Sequence, residues 1–128
     1  MPSWRIGALF VALNAQAALA ADYYCPVSRK LAPDHEYTHE ELPQAAFSVV
    51  VEESHPEGTR LSRCSYSRIE QKRTCDTYLA DRSDTDPNTG IKKFYYFRGQ
   101  FDMQIFPGLL FIENNGRGSI AFGVCKVQ

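Results

Sequence analysis

Two motifs and one hairpin tip carry residue types at spacings that could do chemistry. His35-Glu36-Tyr37-Thr38-His39 fits the His-Glu-x-x-His pattern. On a helix, histidines at i and i+4 share one face and can hold Zn²⁺, while the glutamate activates the metal-bound water. That chemistry would make the chain a small zinc-dependent hydrolase, with His35 and His39 as ligands and Glu36 as base. Pro33 and Pro43 limit any such helix to about two turns. The sheet and first helix that such a fold places before the motif do not fit between Ala21 and His35. The extended pattern also asks for Gly and His where Leu42 and Ala45 stand. A solvated, charged segment explains these residues more simply.

Gly116-Arg117-Gly118-Ser119-Ile120-Ala121 fits a loose dinucleotide pattern, Gly-x-Gly-x-x-Ala. Pyrophosphate binding needs a following helix and an acidic residue some twenty positions on. Here a strand pattern follows and Gln128 ends the sequence, so no dinucleotide cofactor is expected. What remains is a basic residue at a turn. Asn115, Arg117 and Ser119 lie at the tip of a predicted hairpin, where a guanidinium among backbone N–H groups can meet an anion or a protein partner. They are the candidate binding residues.

Asp84-x-Asp86-x-Asn88 opens like a calcium loop, but its glycine, Gly90, stands at the seventh position and no glutamate occupies the twelfth. It reads as a turn. Arg60, Arg63, Arg68, Lys72 and Arg73 gather on one predicted hairpin, against Glu36, Glu40, Glu41, Glu52 and Glu53 elsewhere. Such asymmetry suits an acidic partner or a solvated outer face, the latter being the more common case. Neither Gly-x-Ser-x-Gly nor a single reactive thiol occurs, so nothing points to nucleophilic catalysis.

The elements that must position these residues read as strands. Residues 47–53 are rich in β-branched side chains and stop at the turn cluster His55-Pro56-Glu57-Gly58. Residues 60–67 are the expected antiparallel partner, and 74–81 alternate again before a polar connection over 83–90. From 91 to 106 the odd positions are mostly apolar, which is period two, and Gly99 predicts a bulge or bend. The last hairpin pairs 109–112 with 119–127. A turn centred on Asn115-Gly116 would set Phe111 opposite Ile120 and Leu109 opposite Phe122, with the large residues forming core. One short helix is expected over 34–42.

Cys25, Cys64, Cys75 and Cys125 are too widely spaced for a Cys-x-x-Cys metal site. An even count in a small exported chain implies two disulfides. A hairpin turning about Ile69-Glu70 sets Cys64 directly opposite Cys75, within reach of a disulfide. Cys25 is then left for Cys125, joining the first and last strands. The rival pairing, Cys25 with Cys64 and Cys75 with Cys125, would hold if Cys64 and Cys75 lay on different sheets.

Residues 1–20 read as a cleaved signal peptide. Arg5 precedes an apolar run too short to span a bilayer, and Ala18-Leu19-Ala20 offers a cleavage site before Ala21. With 128 residues, 12% aromatic and 23% charged, the chain is one ordered domain over 21–128. A net charge of −1 argues against a general nucleic-acid binder. The expectation is therefore an all-β single domain, an antiparallel barrel or sandwich stapled by two disulfides, with at most one short helix. It is secreted or periplasmic, uses no cofactor and has no membrane span. It binds another protein or a small ligand, as an inhibitor or partner-binding module would, rather than acting as an enzyme.

Overall fold

The spine of the domain is an eleven-residue strand, β1 (Asp22–Ala32), that the sequence pattern does not announce. The computed structural model describes residues 20–128, so the expected leader lies, but for Ala20, outside the described residues. Ten further strands follow: β2 (His35–Glu36), β3 (Ser48–Glu52), β4 (Arg60–Ser67), β5 (Lys72–Leu79), β6 (Arg82–Thr85), β7 (Lys92–Tyr96), β8 (Phe101–Ile105), β9 (Leu110–Asn114), β10 (Ile120–Val124) and β11 (Lys126–Val127). They form one antiparallel sheet in the order β5-β4-β3-β1-β10-β9-β8-β7-β6, with β2 and β11 also paired to β1. Strand makes up 55% of the described residues, and the sheet curls into a half-barrel.

The curl follows from the connectivity. The edge strands β5 and β6 are consecutive, joined only by Ala80-Asp81. Ala80 N donates to Thr59 O and Asp81 N to Tyr95 O, both at 2.8 Å, so this short link ties the two ends of the sheet together. Tyr78 of β5 stacks on Tyr96 of β7 with ring centroids 4.5 Å apart. Inside the curl lies the apolar core, with Val49, Val51, Leu61, Phe94, Met103 and Phe111 all almost fully buried.

Both disulfides join as expected: Cys64–Cys75 across β4 and β5, as the opposed-residue argument requires, and Cys25–Cys125, the pair left by elimination, between β1 and the junction of β10 with β11. Cα atoms are 4.0 Å apart in each, and Cys64 and Cys75 are directly opposed in the β4–β5 register.

Several expectations are corrected. The helix, α1, spans Glu41–Ala45 rather than 34–42, and Pro43 lies in its first turn, where no backbone N–H is needed. The residues before it form β2 and a turn. The polar connection 83–90 contains β6, which the charged side chains disguise. The run 91–106 is two strands, not one. Residues 97–100 form the turn of a hairpin in which Phe94 opposes Met103, so the buried positions are even in β7 and odd in β8.

The β9–β10 register is shifted from the expected one. Phe111 opposes Gly123 and Ile112 opposes Phe122, because the loop runs from Asn115 to Ser119 and closes with Asn115 N donating to Ser119 O. The inner face of β10 is consequently the small one, Ala121 and Gly123, while Ile120 and Val124 are 40% and 51% exposed. Volume explains the choice. A Cβ on Gly123 would lie 2.2 Å from Pro26 O and 2.6 Å from the Phe111 ring, so only glycine lets both approach.

Candidate functional site

The inward-facing polar residues collect at one region of the curl. β1 explains how. Its pairing with β10 slips between Val27 and Arg29, a β-bulge that reverses which side chains face inward. Tyr23 and Cys25 point in before the bulge and Lys30 after it, leaving Lys30 only 7% exposed. Lys30 opposes Ala121, and Ala121 opposes Glu113, so the three form one row across β1, β10 and β9. The small Ala121 leaves space between the two charged side chains.

Glu113, 4% exposed, is held from the far wall. Arg63 crosses from β4 and donates from Nε to Glu113 Oε2 at 2.7 Å, its guanidinium lying 5.0 Å from the Phe101 ring centre. Removing Arg63 would strand the buried Glu113 carboxylate, which makes this pair a strut between the two halves of the sheet. Lys30 Nζ lies 3.9 Å from the Phe47 ring centre and 5.7 Å from that of Tyr37. Burial pushes the Lys30 ammonium below the usual lysine range; nearby Glu113 opposes this and Arg63 adds to it.

Two recesses open here and share Arg63. The inner one, about 130 Å³, lies between Lys30, Glu113, Ser48 and Ser65, with Asp76 exposed at its rim. The outer one, about 230 Å³, is a cleft lined by Arg63, Tyr78, Tyr96, Arg98, Gly99, Phe101 and Arg117, and no carboxylate lines it. Two turns bring Arg98 and Arg117 together. Gly116, at φ +75°, sits so close to the β7–β8 turn that a Cβ there would be 2.5 Å from Gly99 O and 2.7 Å from Gln100 O. The Asn-Gly step thus serves turn-to-turn packing.

Of the candidate binding residues, Arg117 lines the cleft. Asn115 and Ser119 build the loop that carries it: Asn115 Oδ1 accepts from Arg117 N at 2.7 Å and Ser119 N at 3.0 Å. Lys30, Glu113, Arg98 and the stacked tyrosines escaped the sequence reading. Their positions depend on a bulge and on a loop contact between distant hairpins, neither of which leaves a periodic trace.

His35, Glu36 and His39 are not gathered on a helix. His35 and Glu36 occupy β2, where successive side chains point to opposite faces, and His39 is in the following turn. His35 Nε2 meets Glu41 Oε2 at 3.1 Å, and Glu36 pairs with Arg29 at 3.4 Å. Thr38 and Glu41 exchange bonds of capping-box type, and the Thr38 amide holds the Glu41 carboxyl below its usual range. Among the described residues no group of three or more His, Cys, Asp or Glu could hold a metal ion. Asp86 Oδ1 accepts from the amides of Asn88 and Thr89, and Asp84 pairs with Arg82 at 2.7 Å. The turn chemistry therefore occupies these carboxylates.

The basic hairpin also disperses. Arg60 grips Glu52 at 2.8 and 3.0 Å, Arg68 donates to Gln44, and Arg73 lies over the Tyr24 ring. Of that group only Arg63 reaches the cleft. No protein-family model matches the chain, and neither a curated protein nor a solved structure is significantly similar to it. Among the described residues no helix is long and apolar enough to cross a membrane.

Proposed function

We propose that the chain is an exported, disulfide-stapled binding module whose outer cleft receives an acidic segment of a protein partner. The observation that carries this reading is the cleft itself, in which three guanidiniums and two stacked tyrosines meet and no carboxylate lines the wall. Glu113 neutralises Arg63, whereas among the described residues no carboxylate pairs with Arg98 or Arg117. Planar guanidiniums bind carboxylates bidentately, and aromatic walls exclude water around them. The reading covers binding without catalysis; the arrangement of His35, Glu36 and His39 lends nothing to hydrolysis.

Octaglutamate is a suitable probe. Its binding should weaken steeply as salt rises and be lost in the Arg98→Ala/Arg117→Ala double variant, with circular dichroism unchanged. An affinity indifferent to both substitutions, or no binding at all, would defeat the reading.

Export rests on two supports. Two disulfides in a small β domain suit an oxidising compartment. Ala21, the first residue after the expected cleavage site, donates its N–H to Glu53 Oε1 at 2.9 Å, and the same carboxylate takes Lys92 Nζ at 2.7 Å. Cleavage before Ala21 would set an α-ammonium against that acceptor, strengthening the bond. Amino-terminal sequencing of protein recovered from the medium or periplasm should begin Ala21-Asp22-Tyr23; any other start would refute the processing site.

A further inference from the structure

We propose that the inner recess beside Lys30 is a receptor for a single carboxylate group. The proposal does not depend on the acidic-segment reading, because it uses a different recess and a different cation.

Lys30 is the reason. The residue is only 7% exposed, it lines the recess, and among the described residues no acceptor bonds its ammonium. A lysine ammonium carries three donors and no acceptor. Burying it unpaired is costly, so such groups are ordinarily paired. The Phe47 ring at 3.9 Å offers partial compensation through its π face. The nearby carboxylate, Glu113, is already bonded to Arg63 at 2.7 Å. The contrast with Lys92 is direct, since that partly buried lysine is bonded to Glu53. At Lys30 the partner is missing from the chain itself, and the recess of about 130 Å³ lies where a partner would sit.

The recess selects the ligand's chemistry. Two oxygens of a carboxylate can accept from Lys30 while the Ser48 and Ser65 hydroxyls, which also line the space, supply further donors. A dianion such as phosphate is disfavoured, because Glu113 and Asp76 already stand around the cavity. Asp76 lies in water at the rim, where screening weakens its repulsion but does not abolish it. The carboxylate can belong to a free small acid or to a glutamate side chain of a peptide.

The test labels the lysine side chains with ¹³C at Cε and titrates the intact protein at constant ionic strength. Sodium acetate probes the free acid, a blocked Gly-Glu-Gly tripeptide probes the side-chain source, and acetamide is the neutral control. The expected result is a saturable shift confined to the Lys30 resonance, given by acetate, by the tripeptide or by both, and absent with acetamide. Asp76→Asn should tighten the effective ligand several-fold. Because the readout is taken on the unsubstituted protein, it does not depend on a Lys30 variant folding; Lys30→Arg serves only to assign the resonance. A Lys30 response no larger than that of exposed Lys126, or an equal response to acetamide, would overturn the proposal. Failure of octaglutamate to bind while acetate still shifts Lys30 would remove the cleft reading and leave this one standing.

Discussion

The hairpins β4–β5 and β9–β10 keep their registers by opposite means. In β4–β5 a disulfide joins directly opposed residues, and the loop residue Ile69 is 96% exposed. In β9–β10 no covalent bond crosses the pair, and the loop is pressed against the β7–β8 turn through Gly116. The first hairpin is fixed by chemistry within itself, the second by what it touches. The hairpin that relies on contact is also the one that carries Arg117 into the cleft. The proposed binding residue thus sits on a loop held from outside, so its position is coupled to the rest of the sheet.

Substitutions can test that contrast. Gly116→Val should have the largest effect, roughly 3 to 4 kcal/mol in denaturant unfolding, since a β-branched residue suffers at positive φ and its side chain would collide with two carbonyls. A neutral Gly116→Val would show that the two turns are not in contact. Replacing Cys64 and Cys75 together by Ala should cost somewhat less than the roughly 3 kcal/mol of a 15-residue loop, because this one is shorter. The backbone pairing should survive, as seen by cross-strand nuclear Overhauser effects; a slipped register would mean that the staple alone sets it. Gln71, at φ 54° in the exposed loop, offers the reverse sign. Gln71→Gly should stabilise by up to about 1 kcal/mol, measured by thermal unfolding, as left-handed backbone suits glycine. Arg117→Ala should change stability by less than about 0.5 kcal/mol while weakening octaglutamate binding. Loss of stability instead would make Arg117 a structural residue.

The same contrast explains what could be read from sequence. The register of β4–β5 was legible because two cysteines at mirrored positions about Ile69-Glu70 leave one antiparallel alignment that brings them together. The register of β9–β10 was not, because an Asn-Gly step marks a turn without fixing how many residues the loop holds. Asn114 Oδ1 and Asn115 Oδ1 both accept loop amides, widening a turn that the dipeptide alone would make tight. β1 escaped notice since Pro26, the bulge and the adjacent Arg29 and Lys30 break its alternation. The architecture was accessible from turn spacing and cysteine count. The cleft was not, because Arg63, Arg98 and Arg117 come from three separate hairpins and meet only when the sheet curls.

The central place of β1 has a consequence for the order in which the domain can form. β1 pairs with β3 on one side and with β10 and β11, at the far end of the sequence, on the other. β3, β4 and β5 can zip onto β1 early, since each follows its neighbour closely along the chain. β6 to β10 can likewise assemble as successive hairpins. Joining the two halves must wait for residues 120–127, and the bond that latches them spans 100 positions. Such non-local closure raises contact order and slows folding toward the millisecond-to-second range. A nascent chain therefore cannot seal this core until β10 and β11 have emerged. The Cys25–Cys125 bond records that this final encounter has taken place.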